Sequence, residues 1–131
     1  MIIDDLLLNK VTEAAQASER LRMNLNLHQN LNDKVQRLLN ALEPGTLLPI
    51  HRHRTTEETY LLLRGSIKVF FYGADGTCTE EFLLDPLKGE YGVHIPKGQW
   101  HTVEVLETGT VIFEVKEGPY APIAPEDVLN K

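Results

Sequence analysis

The stretch HRHRTTEETYLLLRG, residues 51–65, sets two histidines one residue apart, follows them with two glutamates, and runs into an apolar segment closed by a glycine. In an extended chain, side chains two positions apart share a face. His51 and His53 would then stand about 6.6 Å apart along the strand, close enough for both imidazoles to reach one ion at ~2.0–2.1 Å. A carboxylate from Glu57 or Glu58 can approach the same point after a bend. The alternation of Glu58, Tyr60, Leu62 and Arg64 against Thr59, Leu61 and Leu63 leaves open which glutamate turns inward. The competing reading is a solvated charged turn, and a bare His-x-His pair more often means that.

Downstream, PKGQWH at 96–101 is a tight turn followed by a histidine at the start of another strand. Two strand entrances could therefore face one another, with His101 as a further donor. Three imidazoles and a carboxylate suit one divalent transition metal (Fe, Zn, Ni, Co or Mn) and hardly suit calcium, which prefers an all-oxygen shell.

Upstream the pattern changes twice. Asp4 or Asp5 can cap a helix, and Leu7, Leu8, Val11, Ala14 and Ala15 recur at helical spacing to about Ser18. From Arg20 the period becomes two: Arg20, Arg22, Asn24, Asn26 and His28 alternate with Leu21, Met23, Leu25 and Leu27, which predicts a strand. Short β-like runs follow, divided by turn residues at Asn30–Asp33, Pro44-Gly45, Asp75-Gly76, Asp85-Pro86, Pro96–Gly98 and Thr108-Gly109. Asp75-Gly76 is the best hairpin signal and joins Ile67–Tyr72 to Thr77–Leu84. Many short strands at such intervals predict an all-β sandwich or barrel with a mostly apolar interior. Leu61, Leu63, Ile67, Val69, Phe71, Phe82, Val103, Val105, Ile112 and Val115 are candidates for that core. Pro119, Pro122 and Pro125 remove backbone donors, so the tail should be an extended arm rather than a ladder strand. The expected organisation is a helix over 1–18, one barrel over 19–118 and the arm over 119–131.

Composition sets the limits. A chain of 131 residues, 42% hydrophobic, supports one core that buries roughly two thirds of its unfolded surface. The single cysteine, Cys78, cannot pair within the chain and is read as structural, in keeping with a reducing compartment. An acidic N-terminus and the lack of any ~18-residue apolar run point to a cytoplasmic protein that does not enter a membrane. With 13 Lys and Arg against 19 Asp and Glu, the net charge of -6 disfavours nucleic acid.

The spacing Gly45-(five residues)-His51-Arg52-His53-(four residues)-Glu58-(six residues)-Gly65 resembles the first motif of the cupin superfamily. PKGQWH resembles the core of the second. Two departures are visible: the glycine expected ahead of Pro96 stands one residue early at Gly89, and Val105 replaces the closing asparagine. The resemblance implies a double-stranded β-helix, or jelly roll, with a short N-terminal α-helix, and His51, His53, Glu58 and His101 as metal ligands. RLRMNLNLHQN, VQRLLNAL, HRHRTTEE, PKGQWHTVEVLE and EVKEGPY together are similar to the WbuC-type cupin metalloproteins of bacterial surface-polysaccharide (O-antigen) gene clusters, over about residues 18–120. That resemblance implies a small-molecule substrate and a place in polysaccharide biosynthesis, and the likeness to small single-domain cupins implies a homodimer, for which the apolar strand face of RLRMNLNLHQN would supply a surface. Two functions then compete: an enzyme acting on a small polar or anionic carbohydrate by isomerase, epimerase or dioxygenase chemistry, and a non-enzymatic sugar- or carboxylate-binding module.

The row Arg22, Asn24, Asn26 and His28 also has two readings of equal weight. It is the exposed face of a one-sided strand, or it lines the barrel mouth and binds substrate, the guanidinium matching carboxylate or phosphate.

Overall fold

The computed structural model describes residues 1–129. Helix α1 spans Asp5–Ala17, and the Asp4 carboxylate caps it by accepting from the Leu7 backbone N–H at 3.0 Å. That bond satisfies one of the donors a helix leaves unpaired at its start. Leu8, Val11, Thr12 and Ala15 fall on one face at helical spacing and are buried.

Among the described residues the strands are β1 (Arg22–Asn26), β2 (Val35–Leu42), β3 (Ile50–His51), β4 (Glu58–Arg64), β5 (Ile67–Tyr72), β6 (Cys78–Leu84), β7 (Gly92–Ile95), β8 (Trp100–Val105), β9 (Thr110–Glu117) and β10 (Val128–Leu129). They form two five-stranded sheets in the orders β1-β2-β9-β4-β7 and β10-β3-β8-β5-β6, and the pairings are antiparallel. Only β1–β2 and β5–β6 are consecutive strands within one sheet; at every other step the chain crosses to the other, so each sheet is built from distant segments, as in a jelly roll.

The main core lies between the sheets, where Leu42, Tyr60, Leu62, Ile67, Val69, Ile95 and Ile112 are among the buried residues. A second core lies outside the first sheet: Leu8, Val11 and Ala15 of α1 pack on Leu39, Ala41 and Val111. The helix therefore supplies the apolar cover that β2 and β9 need on their outer faces. No helix among the described residues is long and apolar enough to cross a membrane.

Four expectations are corrected. The strand predicted from Arg20 begins at Arg22, because Leu21 adopts a left-handed φ of 56° in the turn that leaves the helix. Its far end stops at Asn26, so His28 lies beyond the ladder. Leu61 and Leu63 point outward and are 46% and 40% exposed, while Tyr60 and Leu62 face the lumen. Glu58 sits inside at the start of β4, and a period of two then sends every odd position on that strand out. The proline-bearing arm does regain a ladder: past Pro125 backbone donors return, and Val128 and Leu129 pair with His51 and Ile50. Cys78 opens β6 and is exposed rather than packed.

Candidate metal centre

His51 and His101 are directly opposed on β3 and β8, so both side chains emerge on the same face, with ring centroids 4.3 Å apart. His53 follows two positions after His51, its ring centroid 5.2 Å from that of His51 and 6.0 Å from that of His101. Glu58 comes from the other sheet, where it is the first residue of β4 and pairs with Ile95 and Lys116. One ligand atom from each of these four residues lies within 4.8 Å of the others. Glu58 and His101 are buried, whereas His51 and His53 are half-buried and form the open side.

The hydrogen bonds set which ring nitrogen faces the cluster. Nδ1 of His101 lies 2.9 Å from the Gln99 carbonyl oxygen, and Nδ1 of His51 lies 3.0 Å from the Pro49 carbonyl oxygen. A carbonyl can only accept, so in the neutral ring both Nδ1 atoms carry the proton and both Nε2 atoms present a lone pair. Burial, then the neighbouring His101, lowers the pKa of His51 to about 4, which keeps that ring neutral at physiological pH. Nε2 of His101 is buried without a hydrogen-bond partner, although it stands 2.9 Å from Oε1 of Glu58. A lone pair facing a carboxylate oxygen at that distance is repulsive unless a cation lies between them. The donor set and this orphaned nitrogen fit a divalent transition metal, held by His51, His53, Glu58 and His101.

Glu58 is held ionised. Burial opposes its charge, but His101 and His53, where their facing nitrogens carry a proton, outweigh that and keep its pKa well below the usual carboxylate range. A cation takes over that role when those nitrogens present lone pairs. Tyr60 donates its hydroxyl to Oε1 of Glu58 at 3.1 Å, which orients the carboxylate from behind.

His53 lies beyond the end of β3 and is secured by its surroundings. Gly98, at φ 76° in the Pro96–Gly98 turn, donates its N–H to the His53 carbonyl at 2.7 Å, joining the two loops that carry the histidines. On the outside, Asp127 of the arm accepts from Nε of Arg52 at 2.9 Å and of Arg54 at 2.6 Å. The Arg52 guanidinium also lies 4.5 Å over the Trp100 ring, which is buried on the face opposite His101. A cavity of about 200 Å³ remains between this segment and the arm, with His53, Lys116 and Tyr120 among its walls.

The two glutamates left undecided by alternation separate clearly. Glu57 points outward and lies 3.4 Å from His94, which also contacts Thr59 at 3.0 Å on the outer surface. The row on β1 shares the face of Asn40 and Leu42, through the pairs Arg22–Leu42 and Asn24–Asn40. Arg22 donates to Thr46 Oγ1 at 3.3 Å and to the Leu47 carbonyl at 3.0 Å, Asn24 and Asn26 are exposed, and His28 is buried against the Arg37 backbone.

Sequence reasoning missed three lumen groups. Asn40, Tyr60 and Glu114 line a cavity of about 120 Å³ that they share with His51. The signal was available: Glu114 interrupts the apolar run TVIFEVKE, and Asn40 interrupts VQRLLNAL, each at an inward position. Burial, then the charge of Glu58, raises the pKa of Glu114. A carboxyl whose pKa is raised by folding carries no penalty below the unfolded value near 4.3, and loses stability as pH climbs towards the folded value. In the metal-stripped protein Glu114→Gln should therefore raise the melting temperature at pH 7, and the gain should vanish by about pH 4. Thermal melts across that range check it, and a variant less stable at pH 7 would contradict the account.

Residues 3–84, more than half of the chain, match a family model described as "Domain of unknown function (DUF6016)". No curated protein matches the sequence. Among solved structures it is similar to KdgF from Halomonas sp., with 14% identity, a TM-score of 0.60, and coverage of 76% of this chain and 82% of that one. The Cnp3 cupin domain of Schizosaccharomyces pombe is similar at 10% identity and TM-score 0.60, over 76% of this chain and 66% of that one. The capsular polysaccharide assembling protein CapF from Staphylococcus aureus matches at 19% identity and TM-score 0.61, over 86% of this chain and 32% of CapF. The chain thus spans about a third of CapF. At these identities the likeness shows the fold, which is that of the cupins.

Proposed function

This chain belongs to the DUF6016 family, and on that footing we propose that it is a metal-binding cupin enzyme acting on a small polar substrate of the carbohydrate type. The observation that carries the reading is the pair of Nε2 lone pairs of His51 and His101, each fixed by a backbone carbonyl, that of His101 standing 2.9 Å from the buried Glu58 carboxylate and His51 belonging to the same cluster. Four protein donors leave two positions on a six-coordinate ion. Such an ion, when bound, polarises a carbonyl or hydroxyl oxygen placed beside it. The chain's own residues do the rest: Tyr60 orients Glu58, and the carbonyls of Pro49 and Gln99 orient the imidazoles. A place in polysaccharide metabolism is supported by the resemblance to the WbuC-type cupins and by the shared fold with CapF. In this reading Leu61 and Leu63, which α1 leaves uncovered, supply the surface for a homodimer.

One observation favours the second reading, a binding module without turnover. The free carboxylate nearest the cluster in sequence, Glu57, faces away from the lumen, so it supplies no base there. The two are separated by incubating metal-loaded protein with neutral and acidic sugars and following substrate and product by NMR. Conversion of one of them establishes the enzyme. Saturable binding with no conversion across the panel would replace it with the module.

A further inference from the structure

The lumen continues inward past His51 into the cavity of about 120 Å³ walled by Leu42, Leu48, Val103 and Ile112. At ~30 Å³ per water its volume equals about four waters, enough for the end of a small molecule. Two polar side chains project into this apolar chamber. Asn40 donates Nδ2–H to Oε1 of Glu114 at 2.9 Å, while its own Oδ1 is buried without any hydrogen-bond partner. Glu114 is 7% exposed, and this bond from Asn40 is its only side-chain hydrogen bond among the described residues. A buried acceptor is destabilising unless something donates to it. Tyr60, the other polar wall, already donates its hydroxyl hydrogen bond to Glu58. What the chamber lacks is therefore donors, flanked by apolar surface that would pack a short carbon chain.

We propose that this chamber is a recognition subsite for the uncharged, hydroxyl-bearing end of the ligand, read by Asn40 Oδ1 and the Glu114 carboxyl. It deepens the proposed function and rests on it, since His51 belongs to both the cluster and the chamber. A hydroxyl donates to Oδ1 and a neighbouring hydroxyl to the free Glu114 oxygen. An anionic end meets the carboxyls of Glu114 and Glu58 in a medium that screens poorly, and stays at the outer mouth. A site built on hydrogen bonds to hydroxyls discriminates against analogues that lack them, because its own polar atoms are then left unpaired.

The probe is glycerol, compared with 1,2-propanediol and 1-propanol, titrated into the full-length zinc-treated protein while the Asn40 side-chain amide signal is followed by NMR. The expected order of affinity is glycerol, then 1,2-propanediol, then 1-propanol, falling about tenfold at each hydroxyl removed. Asn40→Leu, followed at the backbone amides of Val103 and Ile112 in the same cavity wall, should weaken glycerol about tenfold and leave 1-propanol unchanged. Glu114→Gln, which keeps the shape of the side chain, should weaken glycerol several-fold and gives a well-folded second variant. Equal binding of 1-propanol and glycerol, or glycerol affinity indifferent to both substitutions, overturns the subsite. Zinc content is measured on the same samples. Bound zinc with no saturable glycerol shift at Asn40 overturns the subsite alone. Glycerol titrating Asn40 in protein that takes up no zinc removes the metal reading and leaves the subsite standing.

Discussion

His101→Ala is expected to abolish stoichiometric binding of a divalent ion while leaving the barrel folded. His101 is the most enclosed of the four donors, fully buried, with its Nδ1–H committed to Gln99 and its Nε2 facing Glu58. Substitution of even the groups that orient metal ligands weakens binding by 10–100-fold, so loss of a ligand should cost roughly a hundredfold or more, about 2.7 kcal/mol. The consequence for stability follows by mass action. An ion present at a thousand times its dissociation constant stabilises the native state by about 4 kcal/mol. For a domain of this size that corresponds to a rise of roughly 10–20 °C in melting temperature. Wild-type protein should show that rise on adding zinc or manganese and lose it on chelation, and His101→Ala should show neither. His94→Ala is the matched control, because that imidazole sits outside against Thr59 and Glu57. Elemental analysis of freshly purified protein, read together with the melts, decides the matter: an alanine variant at position 101 that keeps one equivalent of metal would sink the ligand assignment.

The second large effect is expected at a residue with no side chain. Gly65→Ala should destabilise the protein by about 2–5 kcal/mol, from two sources that can be separated. Gly65 links β4 to β5, where the chain crosses from one sheet to the other, and its φ is 85°. A Cβ in that left-handed region costs about 1–2 kcal/mol. The added methyl would also stand 2.6 Å from the Thr110 Cα at the start of β9, backbone that cannot swing aside, and overpacking of this kind costs about 1–3 kcal/mol. Gly89 isolates the first contribution. Its φ is 80°, and a Cβ there would meet nothing within 4 Å. Gly89→Ala should therefore lose only about 1–2 kcal/mol in chemical denaturation. Equal losses at the two positions would mean that the contact with Thr110 yields more easily than its geometry indicates.

Much of the architecture is legible along the chain because its signals are local. The Asp4 cap and the spacing of Leu8, Val11 and Ala15 announce a helix that buries one face. Asp75-Gly76 announces the hairpin between β5 and β6, and Gly76 indeed takes a φ of 84°. The motif spacings single out His51, His53, Glu58 and His101, and these are the side chains that converge. Where the reading of β4 went astray, at Leu61 and Leu63, the alternation was recognised and its phase was not. A period of two is unchanged by exchanging its faces, so only the partner across the lumen can choose between them. Asn40 and Glu114 escaped notice for a related reason: each is one polar letter in an apolar strand, and nothing nearby in sequence tells that they meet.

What the sequence by itself determined is the set of local states: where the chain turns, where it extends, where it coils, and which residues carry lone pairs suited to a transition metal. The tertiary structure alone decided which face of β4 turns inward, that the end of the arm pairs with the strand bearing His51, and that Asn40, whose amide oxygen has no hydrogen-bond partner, meets Glu114 in the wall of a cavity beside the cluster. Turn, strand and helix preferences depend on atoms a few residues apart. Burial and the meeting of Glu58 with His101 depend on two sheets closing over one core, a condition that no short segment can express.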